Sequence, residues 1–276
     1  MSMRYAICLS YNGAAFSGWQ VQPNAPSVQE TLESAISTLL KCPVAVTGAG
    51  RTDASVNARG YIAHFELPSE AGQIAADFCC KLNAILPREV VVHSIKEAGA
   101  EFHARFDARR REYTYFIHRK KDPFADPWSW KCTYPGLDFE AMSRACNFLL
   151  GTHDFSCFEK TGGNSKTSIC TIFEARWEPY IPTHIAVMPI ESPVHSKELI
   201  PTPLRDNSWP YWYFRVAADR FLRNMVRAIV GTMIEVGRGK RTPESIATLI
   251  TSGTRSDAGE SVPGHALFLS KVEYKR

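Results

Sequence analysis

Short strand-like runs alternate with short helical ones along this chain, and no other feature limits its fold so closely. Residues 4–10 alternate in the β manner and stop at the turn pair Asn12-Gly13. A helix follows, opened by the capping box Ser27-Val28-Gln29-Glu30, with an apolar stripe of Val28, Leu32, Ile36, Leu39 and Leu40. Residues 43–47 and 61–67 read as strands, 74–86 as a helix stopped by Pro87, and 90–95 as a buried strand. The second half repeats the style, with strands over 112–118, 168–177, 185–187, 211–216 and 266–274. Its helices fall at 139–150, closed by Gly151, at 221–236 and at 243–250. The pattern is α+β, run through twice, with a division near residues 97–108. It gives an N-terminal half over 1–104 and a C-terminal half over 105–276. Residues 188–210 carry five prolines and no periodicity, as expected of a surface insertion.

The 276 residues are 45% hydrophobic and 22% charged, values of a globular protein with a sizeable core. No apolar stretch approaches a membrane span, and the first residues lack the apolar core of a signal peptide, so the cytoplasm is the expected compartment. Eight cysteines include no C-x-x-C pair and read as reduced thiols, with Cys79-Cys80 as helix-packing residues. The eight histidines show no zinc spacing, and no metal is expected. Net charge is only +4, but residues 103–121 and 215–241 each hold seven Lys/Arg against two acids. Basic charge gathered into two blocks is the footprint of a phosphate-binding surface.

The segment most loaded with chemistry is Gly48-Ala49-Gly50-Arg51-Thr52-Asp53-Ala54-Ser55-Val56-Asn57-Ala58. It lies between two strands, and its small residues let the backbone approach a ligand closely around one Arg and one Asp. A carboxylate beside a guanidinium can stay ionised away from water. The G-x-G lacks the further glycine and the helix that dinucleotide binding requires. In the predicted helix over 221–236, Arg220, Arg223 and Arg227 form a narrow basic stripe at i, i+3 and i+7, opposite a broad apolar face. Tyr113 and Tyr115 share one face of their strand.

These strings resemble, in order and over nearly the whole chain, the motifs of the tRNA pseudouridine synthase A family. The loop at 48–58 is similar to the family's G-R-T-D-x-G-V-H-A signature. Gly18-Trp19-Gln20 with Ser27-Val28-Gln29, Phe102-His103-Ala104-Arg105-Phe106 with Arg111-Glu112-Tyr113-Thr114-Tyr115, residues 151–155 and residues 221–231 resemble its other segments. The resemblance implies a fold of two ferredoxin-like halves sharing an extended, mostly antiparallel central sheet with helices packed on it. It implies Asp53 as the nucleophilic aspartate, Tyr113 as the tyrosine contacting the target base, Arg51 as the arginine that flips the uridine, and Arg227 as the partner of the catalytic carboxylate. Arg105, Arg220 and Arg223 are expected to contact the substrate. The implied reaction isomerises uridine to pseudouridine on the 3′ side of the tRNA anticodon stem-loop (positions 38–40), in a homodimer with no cofactor.

A single carboxylate is compatible with attack at ribose C1′, addition to the base, or elimination to a glycal. Ser55 stands where the family has Gly, and Asn57 where it has His. These departures admit a second reading, a catalytically silent RNA-binding paralogue. A hydrolase with an Asp dyad is weaker, because no motif supplies a second carboxylate beside Asp53.

Overall fold

The first helix illustrates how local chemistry sets the elements. Ser27, fully buried, accepts a hydrogen bond on Oγ from the Glu30 amide at 3.2 Å and starts α1 (Val28–Leu40). Lys41, with φ of 57°, ends it in the left-handed region. The computed structural model describes residues 2–68, 73–162, 166–187 and 207–275. It is a mixed α+β protein with a large, mostly antiparallel sheet.

Two compact units divide the chain. The first comprises Met1–Tyr113, Ala218–Arg223 and Phe268–Arg276. In it β1 (Ser2–Tyr11) pairs antiparallel with both β3 (Asn57–Pro68) and β4 (Val90–Ala98). β2 (Val46–Gly48) adds to β3, and β10 (Leu267–Tyr274) joins β3 in parallel through Phe268 and Leu269. The first residues of β5 (Ala108–His118) complete the order β4-β1-β3-β10-β5. Alternate residues of β1 (Tyr5, Ile7, Leu9 and Tyr11) are buried, with Leu32 and Ile36 of α1 also in the core. α2 (Phe78–Ile85) lies against β4, where the Asn83 side chain both accepts from and donates to the Val92 backbone at 2.8 Å. Cys79 of α2 donates to the Val92 carbonyl, and Cys80 is exposed.

The second unit comprises Thr114–Ala217 and Asn224–Leu267. It carries the rest of β5, β6 (Trp130–Lys131), α3 (Phe139–Cys146), β7 (Gly151–Asp154), β8 (Ile169–Pro179), α4 (Thr183–Val187), β9 (Tyr211–Ala218), α5 (Met225–Gly237) and α6 (Ser245–Ser252). Strand order is β5-β9-β8-β7, with β6 parallel to β5. α5 is buried on nearly every side and packs on α3, and Phe139 stacks on Trp212 at 3.9 Å between centroids.

Several elements differ from the sequence reading. The helix expected over 139–150 ends at Cys146, with a 3-10 turn over Asn147–Leu149 after it and Gly151 opening β7 instead of closing the helix. Residues 185–187, expected as a strand, end the short helix α4, which Pro182 initiates by accepting from the Ala186 amide at 3.0 Å. A three-residue apolar run is too short to display a period. The helix expected from residue 221 starts at Met225, because Asn224 adopts φ of 64° and breaks the helical path. Of the expected insertion over 188–210, residues 188–206 lie outside the described residues.

Candidate active site

The loop between β2 and β3 is fixed at almost every residue by its neighbours. The Ala49 amide donates to the Ile62 carbonyl at 2.8 Å, and the buried Tyr61 hydroxyl donates to the Gly50 carbonyl. Tyr11 shares a 2.8 Å hydrogen bond with the Thr52 hydroxyl, while the Trp19 amide donates to the Thr52 carbonyl at 3.2 Å. Ser55 donates its amide to Phe16, and Val56 donates back to the Asp53 carbonyl, each at 3.2 Å. Trp19 and Tyr61 stack at 4.1 Å beneath the loop. Burial raises the pKa of both Tyr11 and Tyr61, so both remain phenols and keep their donors.

Close approach of an earlier segment makes this possible. Gly18 adopts φ of 111°, and a Cβ there would stand 2.5 Å from the Thr52 carbonyl oxygen. A Cβ on Gly13 would stand 2.2 Å from the Val56 carbonyl oxygen. The resemblance to Gly18-Trp19-Gln20 thus has a steric basis: this segment forms the wall against which the loop lies.

The off-pattern residues fit the loop. Ser55 adopts φ of 64°, the conformation glycine takes without strain, and the surrounding bonds hold it there. Asn57 is buried, and its Oδ1 accepts the Gly13 amide at 2.8 Å.

Arg111 is the residue that sequence reasoning missed. It falls within the basic block over 103–121, yet among the described residues its guanidinium makes five hydrogen bonds, all to main-chain carbonyls. Nε and Nη2 donate to Ala49 at 3.2 and 2.9 Å, Nη1 to Ala108 at 3.2 Å and Asp219 at 2.6 Å, and Nη2 also to Arg105 at 2.6 Å. Burial pulls its pKa below the ordinary arginine value. One buried fork therefore ties together the loop after β2, the 105 turn, the start of β5 and the 219 segment. Its place two residues before Tyr113 in a matched motif was the available signal.

Tyr113 is buried, with its ring edge-on to Phe221 at 5.0 Å. Burial pushes its pKa up, the Arg111 charge pulls it down, and the Asp53 charge raises it further. Asp53 itself is half-buried in the loop. Arg51 is exposed, and its Nε donates to Gln20 Oε1 at 3.3 Å. Gln20 in turn donates to Gln29 of α1 at 2.9 Å. Arg105 is exposed, its guanidinium 5.9 Å from the Phe106 ring centre.

The expected stripe of Arg220, Arg223 and Arg227 does not form. Arg220 and Arg223 precede the helix, in the first unit, where Phe221 packs on Tyr113 instead of continuing a helical face. Arg227 sits in the first turn of α5 in the second unit, and its Nε donates to the Val262 carbonyl at 2.7 Å. The Val262 amide donates to the Arg227 carbonyl at 3.3 Å.

Comparison with known proteins identifies the family. Residues 145–275 match the family model described as tRNA pseudouridine synthase. A tRNA pseudouridine synthase A of Porphyromonas gingivalis is 45% identical over 271 residues, covering 98% of this chain and 97% of the relative. Its counterpart in Parabacteroides distasonis is 43% identical, covering 98% and 96%. That of Bacteroides thetaiotaomicron is 41% identical, covering 98% and 90%. At this identity over nearly its full length, the chain belongs to the tRNA pseudouridine synthase A family.

Proposed function

We propose that this protein isomerises uridine to pseudouridine in the anticodon stem-loop of tRNA, at positions 38–40, with Asp53 as its nucleophilic carboxylate. The reaction breaks the bond between C1′ and N1, turns the uracil ring, and joins C1′ to C5. The C5 proton leaves to solvent and N1 gains one, so no redox partner is consumed. A stacked uridine is out of reach of a carboxylate, and extruding it costs a few kcal/mol. Arg51, exposed on the loop two residues before Asp53, is suited to fill the vacated stack and hold phosphate. Tyr113, kept protonated by burial, offers a flat ring and a hydroxyl to the extruded base.

The observation carrying this reading is the half-buried Asp53 on a loop whose backbone its neighbours fix at almost every residue. Arg227 serves as partner of the catalytic carboxylate, while Arg105, Arg220 and Arg223 contact the tRNA. Two copies of the chain act as a homodimer in the cytoplasm; no helix among the described residues is long and apolar enough to cross a membrane.

The competing reading, a silent RNA-binding paralogue, rests on Ser55 and Asn57. Against it, Ser55 takes the left-handed backbone a glycine would take, and Asn57 holds the Gly13 amide, so the loop path is preserved. Tritium release from tRNA carrying [5-³H]uridine decides between them. Release confined to positions 38–40 is expected; tRNA binding with no release would make the silent reading correct. Light scattering should give twice the chain mass.

A further inference from the structure

The turn at residues 103–107 is pinned from every side, yet it holds an aromatic ring in water. The His103 amide donates to Asp107 Oδ2 at 2.7 Å, and the Asp107 amide returns to the His103 carbonyl at 3.0 Å. His103 Nδ1 accepts the amides of Arg105 and Phe106 at 3.2 and 3.3 Å. The Ala104 amide donates to His64 Nδ1 at 3.1 Å, and Tyr274 donates its hydroxyl to the Ala104 carbonyl at 2.7 Å. Arg4 holds the Phe102 carbonyl at 2.7 Å, and Arg111 holds that of Arg105. From this frame Phe106 projects with 71% of its surface exposed. Its ring packs against His103 at a tilt of 31°, centroids 4.2 Å apart, with the Arg105 guanidinium 5.9 Å from its centre.

A single exposed apolar side chain is ordinary on a protein surface. This one differs in being backed by a second ring, flanked by a cation, and carried on a turn with its main chain committed elsewhere. It also stands beside the chemistry: one nitrogen, Arg111 Nη2, reaches both the Ala49 and the Arg105 carbonyls. We propose that Phe106 is a stacking platform for an RNA base neighbouring the extruded uridine, with Arg105 on the adjoining phosphate. Opening a stem to free one uridine leaves its neighbours without a stacking partner, and an aromatic face backed by a fixed ring supplies one. The cation beside it favours a polyanion over a second protein surface. The proposal rests on the activity proposed above.

The test is binding of a labelled anticodon stem-loop RNA to the full-length protein by anisotropy, with light scattering and thermal unfolding on each variant. Phe106→Ala and Phe106→Leu should weaken binding roughly tenfold or more, the range for loss of one base–aromatic stack, without changing the salt slope. Phe106→Trp should bind within about twofold of wild type, since stacking requires a ring and not merely an apolar volume. Arg105→Ala should flatten the salt slope by about one ion. Binding by Phe106→Ala equal to wild type would overturn the proposal. So would Leu restoring affinity as well as Trp, which marks plain apolar contact, or a halved mass in Phe106→Ala, which marks an interface between copies of this chain. Wild type that binds RNA through Phe106 but releases no tritium would sustain the platform and sink the proposed activity, so the two failures are separable.

Discussion

The two sides of the loop at 48–57 are built to opposite rules. On the side facing the protein, Arg111, Tyr61, Tyr11, Trp19 and Asn57 commit polar groups to the loop or to the segment against it. On the side facing solvent, Arg51 is exposed and held by a single 3.3 Å bond to Gln20, and Asp53 is half-buried. Two arginines near the same few residues thus do unlike work. The inner one fixes the backbone, and the outer one leaves its guanidinium in solvent. A residue's type and its presence in a motif do not say which role it has; the count of carbonyls it serves does.

The largest expected effect falls on the outer side. Asp53→Asn should bring tritium release below detection while shifting neither the unfolding midpoint nor tRNA affinity appreciably. Substantial turnover would take Asp53 out of the mechanism.

Arg111→Ala should blur the two sides, since it leaves four carbonyls without their shared donor. Loss of activity together with about 3 kcal/mol of stability is expected in denaturant titrations. Arg111→Lys should regain part of the stability, because an ammonium cannot fork to four acceptors. A normal midpoint for Arg111→Ala would refute the inner role.

Arg51→Ala sharpens the contrast. Its stability should stay within about 0.5 kcal/mol of wild type, while kcat should fall roughly a hundredfold from poor placement of the uridine. Equal stability losses at the two arginines would erase the distinction.

Acid should act on the inner architecture first. Burial, then the charges of His103 and Arg4, lower the His64 pKa to about 4, and its Nδ1 accepts the Ala104 amide. In the unfolded chain the imidazole binds its proton near the ordinary value of about 6.5. Between these values the unfolded state holds more protons, so stability is fully present above about pH 6.5 and declines as pH falls toward 4. His64→Asn should flatten that part of the pH–stability curve; an unchanged slope would assign it to other groups.

The smallest effect belongs to the off-pattern pair. Ser55→Gly should relieve left-handed strain while loosening the unfolded chain, a net change of about 1 kcal/mol or less. Together with Asn57→His it should alter kcat only modestly. A large gain in rate would mean that the loop is poorly set in this chain.

Much of this was legible before any coordinates. Ser27 with Glu30 announced α1, alternation announced β1, and Gly50 through Asp53 marked the loop between β2 and β3. The start of α5 was not, because Phe221 and Leu222 continue the apolar spacing although Phe221 packs on Tyr113 and Asn224 turns the chain. Nor was Arg111. In Arg109-Arg110-Arg111, three like charges read as solvated surface, and nothing in the letters says that the third turns inward while Arg109 stays exposed and Arg110 pairs with Glu112 at 3.7 Å. Packing against partners distant in sequence decided all of these.

The spacing of Arg111 and Tyr113 has a consequence for how this chain can change over generations. They sit two apart on β5, so one strand phase carries both the clamp and the tyrosine. Deleting one residue between the 105 turn and Arg111 would hand both positions to Glu112 and Thr114 in a single event, and inserting one would hand them to Arg110 and Glu112. Chain length is therefore constrained between residues 105 and 113. An insertion or deletion there is expected to displace the Arg111 clamp and Tyr113 together, as one event.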